Sequence, residues 1–229
     1  MKLSMLIAAA VVVLGFASHA ARAQSLSPEV RAYLEERAGE FEQIPPERRA
    51  ALERIARMVR ARNADGDTAR LLFVCTHNSR RSHMSQLWAQ AGAAYFGHDV
   101  QTYSGGTEST AFNPRAVVAI ERAGFDVLKT TDDSNPIYHV SMGEGLMPMT
   151  CFSKAYMNGP NPKSGFGAVM VCSDADEACP IVVGAAARFS VPYVDPKVSD
   201  NTPREAATYD ERCAQIAREM LYAMSRVDG

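Results

Sequence analysis

Hydrophobic residues recur along this chain at two different periods. Residues 71–74 (Leu-Leu-Phe-Val) and 168–172 are unbroken apolar runs, as expected of strands buried on both faces. Residues 100–103 and 189–194 complete a set of about four strands. Between them the period changes to that of a helix. Residues 82–96 carry Met84, Leu87, Trp88, Ala91 and Tyr95 on one face. Asn113-Pro114 starts a helix that stops at Gly124, and residues 204–224 carry Tyr209, Cys213, Ile216, Met220 and Met224 on one face. Strands alternating with helices predict an α/β three-layer sandwich around a parallel sheet.

Two flanking regions differ in texture. Ser27-Pro28-Glu29 is a helix start, Ile44-Pro45-Pro46 a break, and residues 47–62 a second helix with Leu52, Ile55, Met58 and Val59 at spacings of three and four. The pair reads as a helical extension over residues 24–66, its arginines (Arg48, Arg49, Arg54, Arg57, Arg60, Arg62) on a solvated face. The α/β domain then covers 67–229. Within it, residues 132–167 hold Pro136, Pro148, Pro160, Pro162 and several glycines with no sustained period, and read as a long insertion.

The first residues follow the secretory pattern. Lys2 supplies the positive start, residues 6–16 the apolar stretch, and Ala21-Arg22-Ala23 a small-x-small cleavage site. The apolar run is shorter than the roughly 20 residues a spanning helix needs. Residues 1–23 are therefore expected to be a removable signal segment. That implies an exported protein, in an oxidising compartment such as a bacterial periplasm, with no stable membrane insertion after cleavage. The 229 residues are 47% hydrophobic and 22% charged, which argues against global disorder, and the net charge of −2 argues against a nucleic-acid-coating protein. Five cysteines are too few for a disulfide scaffold and enough for one chemical site.

The strongest chemical signal is Val74-Cys75-Thr76-His77-Asn78-Ser79-Arg80-Arg81-Ser82. A buried strand ends in a cysteine, a short polar loop follows, and an arginine and a serine open a helix. Such a loop turns successive backbone amides (Thr76, His77, Asn78, Ser79, Arg80) toward an oxyanion, with the helix N-terminus behind it. Arg81 offers a two-pronged guanidinium, and the same positive groups favour the Cys75 thiolate. Ser82 can donate to the sulfur, and Asn78 tolerates a left-handed turn.

This strand-C-x5-R-S-helix run resembles the low-molecular-weight protein tyrosine phosphatases and the thioredoxin-coupled arsenate reductases of the same fold. The likeness continues through Ser104-Gly105-Gly106-Thr107, Asn113-Pro114, Gly124-Phe125-Asp126, Val171-Cys172 and Asp195-Pro196. It spans roughly residues 69–227, with 132–167 outside it. The resemblance implies Cys75 as nucleophile, Arg81 as oxyanion clamp, Ser82 as thiolate stabiliser and Asp195 as general acid. His77 stands where these families usually carry a glycine, and Arg80 where a second cysteine is frequent. Both bear on the substrate more than on the oxyanion cradle.

Cys172 and Cys179 lie seven positions apart after a strand, a spacing similar to the relay cysteines of the arsenate reductases. In an exported chain they fit a structural disulfide equally well. The first expectation for the function is an exported Cys-dependent phosphatase acting on phosphomonoesters, phosphotyrosine proteins included, through a phosphocysteine, with no metal or organic cofactor. The alternatives are arsenate reduction through Cys75, Cys172 and Cys179, with a thiol–disulfide reductant as partner, and a non-catalytic oxyanion binder. Cys213 and Trp88 read as core. Cys151, His139, Met142, Met147 and Met149 read as surface loop, although soft ligands of that kind bind Cu(I). Asp174, Asp176 and Glu177 read as a solvated acidic turn, and His83 as the first turn of the helix.

Overall fold

A computed structural model describes residues 25–179 and 181–229. The expected signal segment and Pro180 lie outside the described residues. In chain order the elements are β1 (Ser25–Leu26), α1 (Pro28–Ala38), α2 (Pro46–Ala64), β2 (Ala69–Cys75), α3 (Arg81–Phe96), β3 (Val100–Gly106), α4 (Pro114–Arg122), β4 (Asp126–Lys129), β5 (Tyr138–Ser141), β6 (Gly143–Glu144), β7 (Met149–Cys151), β8 (Phe166–Met170), α5 (Ser173–Ala178), β9 (Ala185–Ser190) and α6 (Glu205–Ser225).

The main sheet has the order β3-β2-β8-β9, with every pairing parallel. Parallel neighbours need crossover connections, and helices supply them. The result is an α/β sandwich. The two unbroken apolar runs, in β2 and β8, occupy the two central positions, where both faces are covered. Strand β3 lies at an edge, and side chains from α3 cap that edge. Gln90 Nε2 donates to Val100 O at 2.9 Å, Thr102 N donates to Gln90 Oε1 at 3.1 Å, and Gln86 Nε2 donates to Thr102 O at 3.1 Å.

The fourth strand differs from the sequence expectation. It runs over Ala185–Ser190 rather than 189–194. Three alanines open it, and alanine carries little strand propensity, so its pairing with β8 rather than local preference fixes its position. Residues 132–167 are also more regular than their composition implies. Strands β4, β5 and β7 form an antiparallel three-stranded sheet, and β6 pairs with β1. These strands are only two to four residues long, too short for an alternation to stand out.

The N-terminal helices share the hydrophobic core of the domain. Val30, Leu34, Leu52, Ile55 and Val59 are fully buried with it. Trp88 on α3 stacks on Tyr33 of α1 at 4.9 Å and donates to Cys213 of α6 at 3.2 Å. The arginines of α2 are more engaged than a solvated face requires. Arg48 grips the buried Glu219 of α6 through Nε (2.9 Å) and Nη2 (2.5 Å), and its Nη1 donates to Pro192 O at 3.0 Å. Arg60 donates to Val227 O at 2.5 Å. Among the described residues no helix is long and apolar enough to cross a membrane.

Candidate oxyanion site

Strand β2 delivers Cys75, buried, to the C-terminal end of the sheet, and the loop of residues 76–80 carries the chain into α3. Outside partners take the carbonyls of this loop. Cys75 O accepts from Thr107 N at 3.1 Å, and Thr76 O accepts from Glu108 N at 2.8 Å. His77 O accepts from Ser153 Oγ at 2.9 Å, and Ser79 O accepts from Asn113 N at 2.9 Å. A peptide is planar and its N–H points opposite its C=O. Carbonyls held outward therefore turn loop amides toward the inside, the arrangement of an anion nest.

Asn78 is the pivot of the loop. Its φ is +44°, in the left-handed region that asparagine tolerates. Its side-chain Oδ1 accepts from Lys154 N at 2.9 Å, and its Nδ2 donates to Ser82 Oγ at 2.8 Å. With Asn78 donating to that oxygen, the Ser82 hydroxyl is left to donate to Cys75 Sγ, 3.2 Å away. Glycine is required where β3 ends. A side chain at Gly106 would run into Glu108 O and Thr76 O, and one at Gly105 into the backbone of Tyr156. The Ser104-Gly105-Gly106 run thus lets two segments close on the loop at once.

Arg81 opens α3 and reaches across to the segment after β9. Its Nη2 donates to Asp195 Oδ2 at 2.9 Å and its Nη1 to Tyr193 O at 3.1 Å. Asp195 also caps the turn at Pro196, accepting from Lys197 N at 3.1 Å. Cys75, Arg81, Ser82 and Asp195 are therefore gathered at one end of the sheet. The side chain of His77 turns to another partner, while Arg80 lies 3.8 Å from Asp195 Oδ1 and bonds further groups. His77 Nε2 lies 3.5 Å from Glu108 Oε2, and Arg80 Nε donates to Tyr209 OH at 2.8 Å with Asp200 at 3.5 Å. Burial and the bond to Asp200 push the Tyr209 phenol up to about 12.

Cys172 follows β8 and sits beside the Cys75 strand. Val171 N donates to Val74 O at 2.8 Å, and Cys172 Sγ lies 3.5 Å from Thr76 Oγ1. It caps α5, accepting from Ala175 N at 3.4 Å, and the partly exposed Cys179 ends the same helix. Both are free thiols in this structure, as are Cys75, Cys151 and Cys213. Arg188 of β9 fastens α5 in place. Its Nε donates to Cys179 O at 3.1 Å, and its Nη2 to Asp176 O at 2.6 Å and Asp176 Oδ1 at 2.5 Å. Asp176 is thus an anchor of α5 rather than a solvated acid.

Sequence reasoning missed several groups that shape the site. Ser153, Lys154 and Tyr156 come from the aperiodic stretch, where polar residues give no pattern to read. Cys151 is fully buried, not on a surface loop, and burial pushes its thiol up to about 12. His83 is on the first turn of α3, yet it is buried, stacked on Phe112 at 4.1 Å, with Nδ1 3.2 Å from Ser104 Oγ. Burial holds its pKa well below the ordinary histidine value. Among the described residues no group of His, Cys, Asp and Glu is arranged to hold a metal ion.

No family model matches the chain. Curated proteins do. An arsenate reductase of Staphylococcus epidermidis is 30% identical over 119 residues, 51% of this chain and 70% of the relative. The arsenate reductase of Bacillus subtilis is 27% identical over 142 residues, 62% of this chain and 84% of the relative. Among solved structures, a low-molecular-weight protein tyrosine phosphatase from T. tengcongensis is similar at a TM-score of 0.49 and 15% identity, covering 69% of this chain and 98% of that one. The identity to the staphylococcal enzyme extends over more than two thirds of that protein, and the cysteine-loop-arginine geometry stands in full. The chain therefore belongs to the family of these arsenate reductases.

Proposed function

We propose that this protein is an arsenate reductase that works by a relay of three thiols, Cys75, Cys172 and Cys179. The observation that carries the reading is the juxtaposition of Cys172 with the Cys75 loop, across the 3.5 Å contact between Cys172 Sγ and Thr76 Oγ1. The names of the curated relatives support the same reading.

In the proposed sequence the Cys75 thiolate attacks arsenic(V) and displaces one oxygen as water. Arg81 and the loop amides hold the remaining oxygens. The Cys172 thiolate then attacks Cys75 Sγ. The sulfur–arsenic bond breaks with its electron pair left on arsenic, which departs as arsenite. Cys179 attacks Cys172, forms the Cys172–Cys179 disulfide and returns Cys75 as a thiolate. An external dithiol reduces that disulfide. Ser82 stabilises Cys75 each time it carries charge, through the bond at 3.2 Å.

Phosphomonoester hydrolysis is the second reading, and Asp195 favours it. A carboxylate bonded to the oxyanion clamp at 2.9 Å is close enough to the cradle to serve a leaving oxygen as general acid, and a water as base. Export through residues 1–23 is part of the proposal under either chemistry, and it calls for a reductant in the same compartment under the first.

Thiol mapping by mass spectrometry tests the reading. One equivalent of arsenate is added to fully reduced protein, beside a control without arsenate and an assay with an aryl phosphate. A stoichiometric Cys172–Cys179 disulfide that forms only with arsenate is expected. Equal oxidation in the control, together with turnover of the aryl phosphate, would replace the first reading by the second.

A further inference from the structure

The charged residues beside the cradle form an alternating row. Arg81 Nη2 bonds Asp195 Oδ2 at 2.9 Å, and Arg80 Nε lies 3.8 Å from the other carboxylate oxygen, Oδ1. Arg80 in turn pairs with Asp200 Oδ2 through Nη2 at 3.5 Å, and Arg115 Nη1 lies 3.8 Å from the same oxygen. Arg115 Nε ends the row on Glu205, at 2.7 Å. The row runs outward. The side chains of Arg81, Asp195 and Arg80 are 9%, 14% and 14% exposed, those of Arg115 and Glu205 33% and 31%. Asp195 and Asp200, inside the row, each have a guanidinium on either side.

An oxyanion at the cradle adds negative charge at the inner end. Both terminal nitrogens of Arg81 are already engaged, Nη2 by Asp195 and Nη1 by Tyr193 O. A two-pronged grip on an oxyanion therefore draws Arg81 away from Asp195. A buried carboxylate that loses its cation is costly. Arg80 is placed to offset that loss. Its two hydrogen bonds, to Tyr209 OH and Asp200 Oδ2, use two of the five guanidinium protons. A shift of about 1 Å brings it to bonding distance of Asp195 Oδ1. Asp200 can yield Arg80 in turn, since it keeps the Tyr209 hydroxyl as donor at 2.8 Å and has Arg115 beside it.

We propose that Arg80 is a positioning residue of the oxyanion site, one that receives the Asp195 carboxylate when an oxyanion claims Arg81. The ion pairs shift by one place along the row, Asp195 toward Arg80 and Asp200 toward Arg115. The displaced charge ends on Glu205, where water reaches it. The guanidinium before Arg81 thereby raises oxyanion affinity through Asp195, without a side-chain contact to the oxyanion. The proposal rests on the reading of the Cys75 loop as an oxyanion cradle with Arg81 as its clamp. It holds for arsenate and for a phosphate ester alike.

Titration calorimetry with inorganic phosphate tests it, in a double-mutant cycle over Arg80→Gln and Asp195→Asn. Arg80→Gln removes the charge and keeps a donor for Tyr209. It should weaken phosphate binding about three- to tenfold in the otherwise unchanged protein. In the Asp195→Asn background, where no carboxylate needs a new partner, the same change should cost less than about twofold. Arg80→Met, run beside it, gives the same cycle without a replacement donor, and melting temperatures check that each variant is folded. Equal weakening in both backgrounds would show that Arg80 attracts the anion directly and would overturn the proposal, as would unweakened binding in Arg80→Gln and Arg80→Met. Failure of phosphate to bind the unsubstituted protein up to about 10 mM would overturn the oxyanion reading itself, so the two failures are distinct.

Discussion

Arg81 Nη2 donates to Asp195 Oδ2 at 2.9 Å, so the guanidinium at the loop and the carboxylate beside Pro196 are partners of each other. Both side chains are largely buried, which makes the pair strong and strictly oriented. An oxyanion that takes the Arg81 fork competes with Asp195 for the same two-pronged donor. Under the proposed chemistries Asp195 would therefore act on binding and on catalysis in opposite directions.

Replacing Asp195 with Asn removes the competing charge and keeps the shape. Affinity for inorganic phosphate or arsenate should rise, about three- to tenfold, because Arg81 no longer has an anionic partner to release. Hydrolysis of a phosphomonoester with a poor leaving group should fall by roughly 10²–10⁴, the usual contribution of a positioned general acid. Titration calorimetry and steady-state kinetics on one preparation separate the two effects. Affinity that drops instead would mean that Asp195 orients Arg81 rather than competing for it.

Arg188 should set how easily the second thiol pair closes. Cys172 and Cys179 cap opposite ends of α5, about 10 Å apart along an intact helix, while disulfide-bonded residues have Cα atoms about 4.4–6.8 Å apart. Closing the bridge requires α5 to unwind, and Arg188 holds it through Cys179 O and Asp176. Arg188→Ala should speed Cys172–Cys179 oxidation by a small-molecule disulfide severalfold, on the order of 1 kcal/mol of lost restraint. Stopped-flow measurement against reduced protein checks this, and an unchanged rate would show that unwinding of α5 does not limit closure.

The bond between Arg48 and Glu219 predicts a large loss of stability. Glu219 is 1% exposed and accepts two charge-assisted bonds from Arg48. Arg48→Met leaves that carboxylate buried without a cationic partner at hydrogen-bond distance among the described residues, with the neutral Gln215 Nε2 donating to it at 3.1 Å and the Tyr193 phenol beside it. Loss of one partner of such a pair costs about 3–5 kcal/mol. Chemical denaturation should show that drop. The double variant Arg48→Met with Glu219→Gln should recover part of it, because no uncompensated charge then remains.

His83 makes the fold sensitive to acid. Burial holds its folded-state pKa well below its unfolded value of about 6.5. Between those two values the unfolded chain binds a proton that the folded chain does not. The contribution of His83 to stability is therefore fully present above about pH 6.5 and is lost as the pH falls below it, at roughly 1.4 kcal/mol per unit. His83→Gln should remove that part of the slope between about pH 6.5 and 5 while lowering stability at neutral pH. Denaturation midpoints across that range would reveal it, and an identical slope in the variant would assign the acid sensitivity elsewhere.

The sequence by itself determined the framework and the cysteine–arginine loop. Continuous apolar runs in β2 and β8 dictate central parallel strands, and helical periods fix α3 and α6, because these signals are local and long enough to read. The order Cys75, Arg81, Ser82 is likewise local, since one tight loop carries all three. Tertiary structure decided what depends on distance in the chain. Asp195 reaches Arg81 only because β9 pairs with β8, which in turn pairs with β2, and Arg48 meets Glu219 across most of the sequence. The strands of 132–167 are too short to show a period, and their backbone is satisfied by partners elsewhere. Lys154 is therefore recognised as a buried cation, and Ser153 as a support of the loop, only once the chain has folded around them.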